Sequence, residues 1–178
     1  YYDGPPLPRV LDLAGDTTGG TYAGPVVYLG TISKELAPGF RVGWAIAAPK
    51  IIRALTAAKQ GSDMCTSGLC QMMLVEALER GMIDRRLPET LTLYRARRDA
   101  LCAAMRGHLG AHLDWQVPSG GMFVWARAID PALDTDRLLT QALRHGVCVS
   151  PSSVFDPEGR DRRAIRINFT LNTPERLA

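Results

Sequence analysis

Tyr28-Leu29-Gly30-Thr31-Ile32-Ser33-Lys34-Glu35-Leu36-Ala37-Pro38-Gly39-Phe40-Arg41-Val42-Gly43-Trp44 is the stretch of this chain that decides its reading. It begins inside an apolar run, Pro25-Val26-Val27-Tyr28-Leu29-Gly30, of the kind found in a buried parallel strand. A polar turn, Thr31-Ile32-Ser33-Lys34, ends that run, and a second strand over residues 41–47 follows Pro38-Gly39. Ligands of α/β sheets gather outside the carboxyl ends of strands, which is where Lys34 falls. Thr31, Ser33 and Arg41 offer two hydroxyls and a guanidinium fork, a donor set suited to a phosphate dianion. A lysine amine beside that phosphate can condense with an aldehyde as a Schiff base. Spacing alone leaves a plainer account open, in which Lys34 is a solvated loop lysine and Arg41 a surface charge.

Upstream, residues 1–24 are rich in Gly, Pro, Asp and Thr and predict a loop-dominated lead-in with one helical turn near residues 10–13. Downstream, Pro49 suits a first helical turn, and Ile51, Ile52, Leu55 and Ala58 recur at helical spacing. A further helix is predicted from Thr66 or Ser67 to Glu79, stopped by Gly81, and the longest over residues 84–108. Past Gly110 the pattern becomes strand (113–117), turn (118–121) and strand (122–126). An amphipathic helix over 134–145 and two last strands, 147–149 and 164–169, complete the order. The fold class is α/β: part of a large mixed sheet with helices in residues 1–100, then a smaller α+β domain in residues 101–178.

The 178 residues are 46% hydrophobic and 22% charged, an ordinary balance for a globular protein and too apolar for a disordered one. The net charge of +3 comes from dispersed basic residues, which argues against nucleic acid as a partner of this segment. Lysine occurs only at Lys34, Lys50 and Lys59, so the search for a reactive amine is short. Cys65, Cys70, Cys102 and Cys148 form no CxxC pair, and with His108, His112 and His145 they show no metal-ligand spacing. The default is therefore a reduced, cytoplasmic setting without metal. No run of 18 apolar residues predicts a membrane helix. Trp44, Trp115 and Trp125 are expected in the core, Cys65 and Cys70 are expected to be buried, and the histidines fall at helix ends.

The lysine-bearing segment resembles the cofactor-lysine signature of fold-type I pyridoxal-phosphate enzymes, in its Gly-Thr-aromatic-Ser-Lys-x-Leu-Ala-Pro-Gly-x-Arg-x-Gly form. That form belongs to aminoadipate- and kynurenine-type aminotransferases and to the effector domains of MocR-type regulators. Ile32 stands here where an aromatic is common, and Glu35 where threonine is common. The resemblance continues through Pro118-Ser119-Gly120-Gly121-Met122-Phe123-Val124-Trp125 to Arg166-Ile167-Asn168-Phe169, and so covers nearly the whole chain. It implies pyridoxal 5'-phosphate as cofactor, Lys34 as the Schiff-base lysine, and Thr31 and Arg41, with Ser33 a weaker member, around the cofactor phosphate. It further implies amino-acid and 2-oxo-acid substrates and a homodimer.

On its own β-run, Arg166 faces away from Ile165 and Ile167, which also suits an edge or surface charge. The resemblance makes it the arginine that grips the substrate α-carboxylate. Gly120 and Gly121 suit either a tight turn near substrate or a plain hairpin. Pro151-Ser152-Ser153-Val154-Phe155 has serine where the family pattern has glycine, and no role is assigned to it.

The family also requires an aspartate at the pyridine nitrogen and a tyrosine at the phenolic oxygen, and both are expected before Tyr1. Tyr2-Asp3-Gly4 matches a later loop of the family and is not taken for them. The chain thus reads as the C-terminal portion of such a protein. Alone it is expected to be poorly soluble and inactive, because the sheet would show an unpaired apolar edge. Two rival readings are a metabolite-sensing domain of a MocR-type regulator and a catalytically incomplete fragment.

Overall fold

The computed structural model describes residues 1–15, 17, 18 and 20–177. The chain is a mixed α/β structure that divides into two compact units, Pro6–Pro88 and Tyr1–Pro5 with Glu89–Ala178.

In the first unit, helix α1 (Val10–Ala14) ends at Gly15, whose φ of 65° is the left-handed conformation that glycine adopts without steric cost. Strands β1 (Thr17–Thr18) and β2 (Thr21–Tyr22) pair antiparallel. Strands β3 (Tyr28–Thr31) and β4 (Gly43–Ile46) form an antiparallel hairpin with Thr31 opposite Gly43 and Tyr28 opposite Ile46. The parallel strand expected over residues 25–30 is therefore corrected: residues 25–27 precede the strand, and its partner runs the other way. The connection turns back on itself, with the Ile32 amide donating to Val42 O at 3.3 Å, so the chain returns beside the strand it has just left.

Helix α2 (Pro49–Ser62) starts with Pro49 in its first turn, where the missing N–H would have had no helical partner. Helix α3 (Gly68–Glu79) is capped by Ser67, whose hydroxyl accepts from the Cys70 amide at 3.4 Å. Gly81, at φ 60°, separates it from the long helix α4 (Met82–Leu109). Two core expectations fail in this unit. Trp44 is 43% exposed, Cys65 is exposed and Cys70 half-buried, because a two-strand hairpin and a short helix start have too few neighbours to cover both faces.

In the second unit, Leu101, Cys102 and Met105 of α4 are buried in a core with a four-stranded antiparallel sheet of order β5-β6-β8-β7. These strands are β5 (Leu113–Trp115), β6 (Phe123–Ala128), β7 (Ser150–Pro151) and β8 (Ala164–Asn168). Along β6 burial alternates strictly, with Val124, Ala126 and Ala128 in the core and Phe123, Trp125 and Arg127 on the other face. That alternation corrects the core placement of Trp125, which is 41% exposed, while Trp115 packs half-buried against the core.

Helix α5 (Thr135–Arg144) begins at Asp134, whose carboxylate accepts from the amides of Asp136 at 2.9 Å and Arg137 at 3.2 Å. The strand expected at 147–149 lies instead at Ser150–Pro151, because the residues after Gly146 first complete the helix end, the Val147 amide bonding Ala142 O. Helix α6 is Pro174–Leu177.

Residues 1–5 are tied to the turn at 118–121. The Tyr2 amide donates to Ser119 O at 2.7 Å, and the Tyr2 hydroxyl donates to Gly121 O. Tyr1 lies so close over Gly120 that a Cβ there would stand 3.0 Å from Tyr1 Cα. Buried Arg98 donates to Asp3 and to Pro118 O at 2.8 Å, and its guanidinium covers the Tyr2 ring at 5.3 Å.

Candidate functional site

The lysine-bearing turn is built on a hairpin that leaves no room for side chains at two positions. A Cβ on Gly30 would come within 2.2 Å of the Trp44 indole, and one on Gly43 within 2.9 Å of Gly30 O. Glycine at both lets the strands close, which fixes Thr31 at the end of β3 and brings the chain back at Gly43. Ile32, only 2% exposed, roots the turn between them.

Thr31 and Ser33 are brought together. The Thr31 hydroxyl donates to Ser33 Oγ at 3.0 Å and accepts from the Ser33 amide at 3.1 Å. Lys34 follows, exposed, and its amine has no hydrogen-bond or ion-pair partner among the described residues. The turn closes through Leu36 N donating to Ile32 O at 3.0 Å, then a 3₁₀ turn at Pro38–Phe40 leads to Arg41.

Arg41 does not open the second strand, as the sequence suggests. It occupies the left-handed region, φ 53° and ψ 33°, at the end of the 3₁₀ turn, with Nη1 donating to Pro38 O at 3.3 Å. A non-glycine residue there is uncommon and costs on the order of 1 kcal/mol, a departure from local preference that clusters at functional sites. Among the described residues no carboxylate pairs with Lys34 or Arg41. An amine, a guanidinium and two hydroxyls on one short loop, with no acid paired to either cation among the described residues, fit an aldehyde-bearing phosphoester by the chemistry of their donors.

Arg166 lies in the other unit, on β8, opposite Trp125 of β6 and Ser150 of β7. Its neighbours Ile165 and Ile167 face the core side, as the strand period predicts. Its guanidinium packs against two rings, Phe123 and Phe155, with 4.2 Å from Cζ to each centroid. Its Nε is buried without a hydrogen-bond partner. Neither phenylalanine was singled out in the sequence. Phe123 shares a face with Trp125 by alternation, but the register that sets Arg166 against that face is not written in either strand alone. The Tyr2-Asp3 segment is held against the 118–121 turn, with Asp3 kept below the usual carboxylate range by the hydrogen bond from Arg98.

The histidines lie at helix ends: His108 in the last turn of α4, His112 just past it, and His145 capping α5. Among the described residues no group of His, Cys, Asp or Glu is arranged to hold a metal, and no helix is long and apolar enough to cross a membrane.

Residues 6–178 match the aminotransferase class I and II family. The chain is 39% identical over 154 residues to aromatic-amino-acid aminotransferase 1 of Thermococcus litoralis, a match covering 86% of this chain and 37% of that protein. It is 30% identical over 149 residues to the uncharacterized HTH-type transcriptional regulator YisV of Bacillus subtilis, covering 84% of this chain and 30% of the regulator. Among solved structures, it resembles LysN, the α-aminoadipate aminotransferase of Thermus thermophilus, in complex with N-(5'-phosphopyridoxyl)-L-leucine. That likeness has a TM-score of 0.88 at 33% identity and covers 100% of this chain and 44% of that one. The chain thus spans less than half the length of each of these proteins. A match over nearly all of its residues settles the kinship: the chain belongs to the class I and II aminotransferase family.

Proposed function

We propose that this chain is part of a pyridoxal-phosphate-dependent aminotransferase that moves an amino group from an amino acid to a 2-oxo acid. The observation that carries the reading is the Thr31-Ser33-Lys34-Arg41 loop, whose amine and guanidinium have no acid partner among the described residues and stand with two linked hydroxyls. When bound, the cofactor supplies an aldehyde carbon and a conjugated ring that takes up electrons. Lys34 Nζ would hold the cofactor, and its free amine would be the base that takes the proton from the substrate Cα. Thr31 and Arg41 would anchor the phosphate, the Thr31 hydroxyl turning its proton from Ser33 Oγ, 3.0 Å away, to the phosphate while it goes on accepting from the Ser33 amide at 3.1 Å. Arg166 orients the substrate α-carboxylate through a paired, charge-assisted contact. Family membership supports a homodimer and a cytoplasmic setting; the division expected near residue 100 falls inside α4, which belongs to the second compact unit from Glu89 on.

Borohydride reduction of the intact protein followed by peptide mapping should place the pyridoxyl group on Lys34. Labelling of Lys50 or Lys59 instead would refute the assignment. A second reading, a metabolite-sensing domain of a MocR-type regulator, is favoured by the 30% identity to an HTH-type regulator. It predicts the same label on Lys34, no turnover of amino acids, and sequence-specific DNA binding by the intact protein. Steady formation of oxo acid from an amino donor separates the two.

A further inference from the structure

The two rings over Arg166 come from separate parts of the chain. Phe123 opens β6, and Phe155 follows the 3₁₀ turn Ser152–Val154. We propose that Phe123 and Phe155 are positioning residues that clamp the Arg166 guanidinium in one position, leaving only its terminal amines to meet a single carboxylate. The proposal rests on the reading of Arg166 as the carboxylate-binding residue and adds what holds it.

The Phe155 turn is rigidly rooted. Ser152 is buried, its hydroxyl donating to Asp161 O at 2.9 Å and accepting from the Ala164 amide at 3.1 Å. The Phe155 amide in turn bonds Ser152 O at 2.9 Å. The Trp125 ring meets Phe155 edge-on at 5.7 Å, so the phenyl ring is braced from the side as well. A guanidinium held 4.2 Å from two ring centroids cannot swing away from one position without leaving both rings. Its Nε is out of reach of water and unpartnered, so an incoming carboxylate is confined to the Nη edge.

Arg127 supplies the contrast. It stands on the same face of β6, two residues from Trp125, and is satisfied in the ordinary way by Asp161 at 3.0 Å. Among the described residues no acid pairs with Arg166. An arginine packed against aromatic rings with no acid opposite is preorganised for an anion that the chain does not itself supply.

The test uses the intact holoenzyme and its amino donor. Phe123→Leu and Phe155→Leu should each raise KM about two- to fivefold, and the pair about five- to thirtyfold, with smaller changes in kcat. Phe155→Tyr, which keeps the ring, should restore KM to within about twofold of wild type. The Arg166 Nε–H resonance, assigned by its loss in Arg166→Lys, should lose its ring-current shift in the leucine variants and keep it in Phe155→Tyr. Arg166→Ala is the reference and should raise KM more than either leucine variant. If it does so while the leucine variants change neither KM nor the resonance, the clamp is overturned and the role of Arg166 stands. If Arg166→Ala leaves KM unchanged, the carboxylate role fails and the clamp fails with it. A leucine variant in which KM rises while kcat and the thermal midpoint fall together, without rescue by tyrosine, would also overturn the clamp.

Discussion

Replacing Arg98 by methionine removes a guanidinium that is 4% exposed and holds three partners at once. Two of these are exposed carboxylates. Asp3, with a 53% exposed side chain, and Asp99 will recover most of their hydrogen bonding from water, so they add little. The third is Pro118 O, which accepts at 2.8 Å in the turn beneath Tyr2, and losing its donor costs about 1–2 kcal/mol. The contact over the Tyr2 ring at 5.3 Å adds roughly 0.5–1 kcal/mol. Methionine fills most of the vacated volume, so the cavity cost is small. The sum is a loss of about 1.5–3 kcal/mol, with a matching fall in the thermal midpoint.

Urea unfolding and calorimetry of the intact protein measure that loss, and limited proteolysis at residues 118–121 reports whether the turn has come free. Asp3→Asn should cost much less than Arg98→Met, because the Asp3 carboxylate is itself solvent-accessible. A loss below about 0.5 kcal/mol for Arg98→Met, or one matched by Asp3→Asn, would refute the assignment of the main contribution to the Pro118 contact. The pH dependence has a definite sign. The Asp3 carboxyl is held below its ordinary value of 3.8 by the Arg98 hydrogen bond, so its contribution is present above that value. It is lost as pH falls through the lowered pKa, and Arg98→Met should show a shallower acid limb than wild type.

Arg41→Gly separates backbone from side chain, because glycine takes the φ of 53° without strain. Stability should hold or rise while retention of pyridoxal phosphate falls about tenfold or more in an equilibrium dialysis assay. Unchanged retention would remove Arg41 from the phosphate site. Thiol labelling should be graded: Cys65 and Cys148 are exposed and should react first. Cys102 is buried and its thiol is pushed up by desolvation, so it should react only on unfolding, as a time course in native buffer and in urea would show.

Periodicity carried most of the second unit. The α4 and α5 helices fall within two residues of their expected bounds because Gly110, Asp134 and Gly146 punctuate them locally. The Arg166 facing followed from alternation alone. What escaped was set by residues far apart in the chain. The β3–β4 hairpin looked like a parallel strand because an apolar run states burial and not direction, and direction here depends on Ile32 meeting Val42. The left-handed Arg41 was hidden because no residue type announces it when glycine is absent. Phe155 was passed over because its turn departs from the family pattern at Ser152, yet that serine is what roots the turn.

The strand order β5-β6-β8-β7 also sets a timetable. Strand β6 ends at Ala128, but the neighbour that completes its second edge does not begin until Ala164. On the ribosome, α4, the β5–β6 hairpin and α5 are all available well before that partner exists. Val124 and Ala126 must wait, with one hydrogen-bonding edge of β6 open, until Ile165 and Phe169 emerge to close the core around them. A nascent chain that stalls between residues 128 and 164 therefore carries a half-built sheet with a sticky edge. Synthesis through Phe169, rather than the speed of any one helix, limits when this unit can become a folded body.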